Sequence, residues 1–497
     1  MPQKYDVAII GSGLGGLFSA LILAKEGKKV AVIEKNSQFG GNLQTFSRNS
    51  ILFDTGVHYL GGLAKGQALY EYFSYAGIAS RLDLERMPIN GYDYVTFGTE
   101  PIYYPHAQGG ENFIRQLLPF FPREEVALSR YIIRLQELCD SFPLYRFRNG
   151  IGYDMHTLSL NLKEYLNEIT SDTLLQSVLV GNNFLYGGAT SHTPLYLHAL
   201  SVSSYMESAW RLKKGGSQIT HLLLEQLQAL GVTLFREHQA LAFEIREEHI
   251  YSVITSQYKK IVATDFISDI DIKQLLQIVG KEHFKPSYYK RIETLTPTRG
   301  VFSLHLVLKP DSIPYQPYNL YWFKSSEQVW RDAGIPEENF TSYMLSMNPP
   351  KKGIYTDNMT IMAYMDYNQV REWENTFNTV GEPDERSQDY THFKNKKVQE
   401  LLSLLYHRYP QLKGNILAMY TATPLTYRDY IGNPTGAVYG YQKSSDKVSH
   451  TRIMPQTHIP NLYLTGQSVN MHGLLGVVIG AVVTCSTLLR RKIKDIG

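Results

Sequence analysis

The stretch YDVAIIGSGLGGLFSALILAKEGKKVAVIE, Tyr5 to Glu34, decides the fold. Tyr5 to Ile10 is a short apolar, β-branched run, the pattern of a strand buried on both faces. It passes straight into GSGLGG and then a helical stretch, Leu17 to Glu26, before a second apolar strand, Val30 to Ile33, ends in Glu34. Strand, glycine turn, helix and strand form the context that G-x-G-x-x-G requires to bind a dinucleotide. Gly11 permits the tight turn, Gly13 lets the backbone approach a pyrophosphate, and Gly16 allows close helix–strand packing. Leu14 and Gly15 complete the loop, where the helix N-terminus offers unpaired N–H groups and a positive dipole end. Glu34 is placed to accept hydrogen bonds from ribose hydroxyls, and its charge argues against a 2′-phosphate.

Outward from this core, Glu34-Lys35 leads to Gly40-Gly41-Asn42 and then to FDTGVHYLGG, Phe53 to Gly62. A second glycine pair soon after the acid, followed by D-x-G, resembles the superfamily of FAD-binding amine oxidases, phytoene desaturases and GDP-dissociation inhibitors. The resemblance implies FAD, with Lys35, Gly40, Gly41 and Asn42 along the cofactor and His58 and Tyr59 near the flavin ring. Most such relatives carry an arginine where this chain has Asn42. At the far end, Asn461 to Thr465 (NLYLT) reads as a buried strand, followed by Gly466-Gln467, and HGLLGVVIGAVVTC opens a helix. Gly466, Gln467 and Leu474 are therefore expected against the cofactor, where the positive helix end would stabilise a reduced flavin. Many flavoproteins have an aspartate at the position of Gln467.

Between these ends, Gly231 to Phe235, Leu241 to Arg246, Ser252 to Ser256 and Ala263 to Asp271 read as strands that return the chain to the nucleotide. The fold class expected is α/β, a Rossmann-like FAD-binding domain of the two-dinucleotide-binding-domain type with an inserted lobe. Residues 1–85, 205–275 and 455–497 are assigned to the FAD domain, and 86–204 and 276–454 to the substrate lobe. In the lobe, Phe302 to Leu308 and Met359 to Met365 alternate as half-buried strands. Helices are expected near Gly66 to Ala76, Gly110 to Phe120, Glu124 to Ser141 and Leu160 to Asn167.

TPLTYRDYIGNPTGAVYGY, Thr423 to Tyr441, narrows the resemblance. With FDTGVHYLGG, TSHTPLYLHAL and LYLTGQ, it is similar to the phytoene desaturase, carotenoid isomerase and retinol saturase family, and most of all to its retinol-reductase branch. The resemblance spans nearly the whole chain. It implies hydride exchange between FAD and a polyene, retinoid or isoprenoid-type lipid, reducing a C=C bond. Desaturation or isomerisation on the same scaffold is the alternative. An amine oxidase-like enzyme and a non-enzymatic prenyl-lipid carrier stand further off. Saturating C=C also needs a proton, for which His58, Tyr59, His472 and Tyr439 are the candidate donors. Beside that reading, both histidines could simply hydrogen-bond near the cofactor, and Tyr439 could be cavity wall.

With 497 residues the chain is too long for one core. A net charge of +3 without like-charge runs leaves no electrostatic footprint for nucleic acid. Cys139 and Cys485 cannot build a disulfide framework, and no spacing suits a metal. The 36 tyrosines suit a large apolar cavity with a few hydrogen-bonding points, or equally a wet surface. There is no signal-peptide pattern, and Leu474 to Leu489 is too short for a span of about 20 residues, so a cytoplasmic protein is expected. An apolar substrate leaves peripheral contact with the inner face of the membrane open, through an edge such as Phe113 to Phe121. No second G-x-G-x-x-G marks a site for NAD(P)H, which could serve as a transient reductant. The external electron donor or acceptor is not readable.

Overall fold

The N-terminal motif folds as strand Lys4–Ile10, helix Leu14–Lys25 and strand Val30–Ile33. The computed structural model describes residues 4–148, 150, 152–331, 338–350, 352–493 and 495–496. Lys4–Ile10 lies parallel between Val30–Ile33 and Lys260–Ser268, and Thr233–Phe235 and Leu462–Leu464 extend the parallel run at either side. The register aligns the carboxyl ends of all five: Ile10 with Ile33 and Ser268, Ile33 with Phe235, Ser268 with Leu464. Open parallel sheets bind ligands along this edge, because the turns and helix N-termini gather there. The hairpin of Ala240–Arg246 and His249–Thr255 continues the sheet antiparallel. Helix Gly473–Leu489 lies against Leu14–Lys25, with Cys485 Sγ 3.7 Å from the Ser19 carbonyl, so the late apolar run is a buried helix.

A second, mixed sheet runs in the order Ile416–Ala422, Gly300–Leu308, Asn358–Met365, Ser342–Ser346, Asn319–Phe323, Asp93–Phe97 and Tyr104–His106. Two of its inner strands depart from expectation. Gly300–Leu308 and Asn358–Met365 alternate in sequence but are buried on both faces. Leu304, Leu306 and Ile361 pack under helix Gln388–Arg408 through Leu401, Leu402 and Leu405. The opposite face carries Val301, Met362 and Tyr364, which turn toward an internal cavity. The alternation therefore separates a core from a cavity wall, not a core from water.

The proposed membrane edge is also corrected. Phe113, Leu117 and Phe121 face the interior, and Phe120 alone of the aromatic residues in that stretch is exposed. Helix Gly110–Leu117 is strongly amphipathic, and its apolar stripe meets Leu128, Tyr131 and Leu135 of helix Glu125–Asp140. Among the described residues no helix is long and apolar enough to cross a membrane.

Candidate dinucleotide and substrate site

A continuous cavity of about 840 Å³ runs from the carboxyl edge of the parallel sheet into the space beside the mixed sheet. Gly11, Gly13, Leu14, Gly15 and Glu34 line one end, and Phe142, Tyr153 and Tyr196 line another part of it. Gly11 adopts φ +96°, the left-handed region open to glycine. A Cβ on Gly16 would stand 2.3 Å from the Gly11 carbonyl oxygen, so this residue does not line the cavity but lets the helix close on the turn. A Cβ on Gly13 would meet the Asp269 carboxylate at 2.5 Å. Where Gly11, Gly13 and Gly15 line the cavity they present backbone and no side chain, which fits a pyrophosphate.

Glu34 is buried at the end of its strand, accepting from the Ser12 amide at 3.2 Å and the Asn36 amide at 2.8 Å. Burial raises its pKa against those hydrogen bonds. Gly40 (φ +116°), Gly41 (φ +54°) and Asn42 pass beside it along the cavity. Lys35 also lines this end, but its ammonium is tied to the Asp429 carbonyl at 2.9 Å, so its charge is spent on helix Pro424–Ile431. The aspartate of the D-x-G pattern turns away too: Asp54 Oδ1 accepts from the Gly216 amide at 2.6 Å, at the N-terminus of helix Ser217–Ala229.

From the other direction, Gly466, Gln467 and Leu474 line the same cavity, and His472 is the N-cap of helix Gly473–Leu489. Both ring nitrogens of His472 are buried without a hydrogen-bond partner among the described residues, and its ring lies 4.6 Å from that of Tyr439. Two unpartnered polar atoms at a helix N-terminus fit a bound polar group there. Burial first, then the Lys443 ammonium, lowers its pKa to about 3. His58 lines the cavity with Nε2 3.2 Å from Met362 Sδ. Burial, helped by Arg211, depresses its pKa to about 4. Both imidazoles are therefore neutral at pH 7, each with a single ring N–H. The Tyr59 hydroxyl donates to Asp93 at 2.7 Å and shares a 2.6 Å contact with the Tyr321 hydroxyl.

Sequence reading missed Asp93, Tyr321, Asp269 and Lys443. Asp269 follows the returning strand, and its carboxylate sits among Gly13, Gly15 and Gly466. The residue lies inside a stretch already read as returning to the nucleotide, and an acid directly after a buried strand was the available signal. Lys443 is buried in the cavity wall, donating to the Ser468 carbonyl at 2.9 Å, and burial lowers it to about 7. No local pattern marks it. Among the described residues no group of three His, Cys, Asp or Glu could hold a metal.

Residues 9–76 match an NAD(P)-binding Rossmann-like domain. The whole chain is similar to human all-trans-retinol 13,14-reductase, 27% identical over 99% of this chain and 87% of that protein. It is also 21% identical to the chloroplastic prolycopene isomerase of Daucus carota, over 94% of this chain and 77% of that one. An oxidoreductase structure from Methanosarcina mazei superposes with a TM-score of 0.66 at 14% identity, over 98% of this chain and all of that one. The α/β fold class expected from the sequence is borne out, and so is the full-length resemblance to the retinol-reductase and carotenoid-isomerase group.

Proposed function

We propose that this chain is an FAD-dependent enzyme that saturates a C=C bond of a polyene, retinoid or isoprenoid-type lipid. The observation that carries the reading is one cavity joining the glycine loops to an aromatic and sulfur-rich chamber, lined by Phe184, Leu185, Tyr205, Met344 and Met362. An apolar chain placed there is removed from water and held against the cofactor end. Bound FAD, once reduced, supplies hydride chemistry to one alkene carbon.

The protein's part is to hold and orient. Residues 1–85, 205–275 and 455–497 carry the cofactor, with Gly11 and Gly13 at the pyrophosphate and Glu34 at the ribose. Gly466, Gln467 and the N-terminus of helix Gly473–Leu489 stand near the ring, and residues 86–204 and 276–454 shape the substrate chamber. NAD(P)H is a candidate for the external reductant. Apolar substrate reaches the cavity from a membrane surface in this reading.

The test is anaerobic. Photoreduced protein mixed with all-trans-retinol should recover oxidised-flavin absorbance and yield a product with two more hydrogens. Flavin that stays reduced with retinoid and carotenoid polyenes alike defeats the reading. The similarity to a prolycopene isomerase supports a second reading, redox-neutral isomerisation. In that case a cis-polyene changes geometry while the flavin remains reduced.

Glu34 gives a simpler check. A charge-assisted hydrogen bond contributes roughly 1.5–3 kcal/mol, so Glu34→Gln should weaken FAD binding by about 10- to 150-fold. An unchanged FAD titration curve removes Glu34 from the ribose.

A further inference from the structure

The mixed sheet builds a polar device into the otherwise apolar chamber. Asp93 and Asn319 stand opposite each other where Asp93–Phe97 and Asn319–Phe323 pair in parallel, and Tyr321 lies two residues on, on the same face. Asn319 donates to Asp93 Oδ1 at 2.8 Å and accepts from Arg211 at 2.9 Å. Tyr59 holds the other carboxylate oxygen, at 2.7 Å, and the Tyr321 hydroxyl lies 2.6 Å from that of Tyr59. Asp93 and Tyr321 are fully buried, and both tyrosines line the cavity.

The donors can be counted. With Asp93 ionised, Tyr59 donates to Asp93, Tyr321 donates to Tyr59, and no proton of the chain is left for the cavity. With Asp93 protonated on Oδ2, the direction reverses: Asp93 donates to Tyr59, and Tyr59 donates to Tyr321. The Tyr321 hydroxyl, with no other hydrogen-bond partner among the described residues, is then free to donate into the chamber.

We propose that Tyr321 delivers the proton to the second alkene carbon, with Tyr59 and Asp93 as the relay behind it. The inference rests on the C=C reading above. One carbon receives hydride, and with it two electrons, from reduced flavin, while the other bonds the Tyr321 proton. The π bond is lost and two C–H bonds form. Tyr321 then takes the Tyr59 proton, Tyr59 takes that of Asp93, and the Asp93 carboxylate takes one from water. Tyr321 is the catalytic residue; Tyr59 and Asp93 act through it.

The surroundings keep Asp93 near the required balance. Burial raises its carboxyl to about 7 against the hydrogen bonds from Tyr59 and Asn319 and the field of Arg211. Asn319 stands between the Arg211 guanidinium and the carboxylate, so no direct ion pair holds the charged form. The other neighbours of Asp93 include the Asn182 amide, which also lowers the carboxyl, the Tyr92 and Tyr205 hydroxyls, and His106 across the strand. The His106 ring is held on the Val178 carbonyl and is depressed by burial to about 4, so it is neutral at pH 7. Because the competent form carries the proton, the rate should fall as pH rises through about 7.

Single-turnover reoxidation of photoreduced protein by all-trans-retinol, followed across that range, tests the relay. Tyr321→Phe should keep its flavin and slow by roughly 10²–10⁴-fold, the usual contribution of general acid catalysis. Asp93→Asn should flatten the pH profile. Tyr59→Phe should do the same, and it decides the matter if Asp93→Asn does not fold. An infrared pH titration without substrate, wild type minus Asp93→Asn or minus Tyr59→Phe, should show a protonated-carboxyl band that is lost, or moved by Tyr59→Phe, near pH 7. Tyr321→Phe with wild-type rate and pH profile overturns the proposal, and so does an infrared titration showing Asp93 ionised well below 7. If no polyene reoxidises the wild type, the alkene reading falls by itself, and the infrared titration still decides the protonation of Asp93.

Discussion

Gly15→Val is expected to give a chain that retains little or no FAD and unfolds at a lower temperature. A Cβ at Gly15 would lie 2.5 Å from Asp269 Oδ1, 2.8 Å from the Gly466 amide nitrogen and 2.9 Å from Gly466 Cα. Gly15 is not in the left-handed region, so the effect is one of contact alone. Two of the three obstacles belong to backbone, which cannot swing aside as a flexible side chain would. The added atoms wedge the N-terminal loop away from the strand end and helix that the C-terminus brings back. Overpacking a tight site costs about 3 kcal/mol at the upper end of the usual range, enough to weaken FAD binding by about 150-fold. Flavin content per chain, a reconstitution titration and a thermal melt measure it. A yellow variant melting like the wild type would show that the two loops do not meet as described.

The second large effect concerns Asp269, and its sign depends on pH. Its carboxylate is buried beside the glycine loop, against Gly13, Gly15 and Gly466. Burial raises the group from 3.8 to about 7, with the Gly16 and Gly13 amides opposing and Glu34 adding to the rise. A carboxyl whose folded pKa exceeds its unfolded one favours the folded state fully below the unfolded value and loses that contribution as pH rises through the folded value. The window is therefore about pH 4 to 7, and the loss amounts to roughly 4 kcal/mol at the upper end. Asp269→Asn has no proton to lose there. Urea unfolding of the flavin-free chains should show the variant gaining on wild type by about that amount between pH 4 and pH 8. Asp54 and Asp93 are also raised to about 7 by burial, and the difference between the two proteins cancels them. Parallel pH profiles would mean that Asp269 does not titrate in this range.

What local order determines was legible. Strand Lys4–Ile10, the turn at Gly11, helix Leu14–Lys25 and strand Val30–Ile33 are neighbours in the chain, and their glycine spacing and apolar runs need no distant partner. The same holds for Leu462–Leu464 and the helix after it, and both sets of glycines end on one cavity. Other features were legible only as composition. The excess of tyrosine suited a cavity with hydrogen-bonding points, but nothing in the order of residues said which hydroxyls would meet.

Tertiary structure decided the rest. Burial, which no short motif encodes, holds His58 and His472 neutral at pH 7. Long-range packing turned the apolar stripe of Phe113 to Phe121 inward and buried both faces of Gly300–Leu308. Asp93, Tyr59 and Tyr321 come from three separate segments, joined only when Asp93–Phe97 pairs in register with Asn319–Phe323 and Tyr59 packs over that sheet. A hydrogen bond needs its two atoms within about 3 Å. Contacts at that scale between distant segments are set by sheet register and packing, and sequence spacing carries no measure of either.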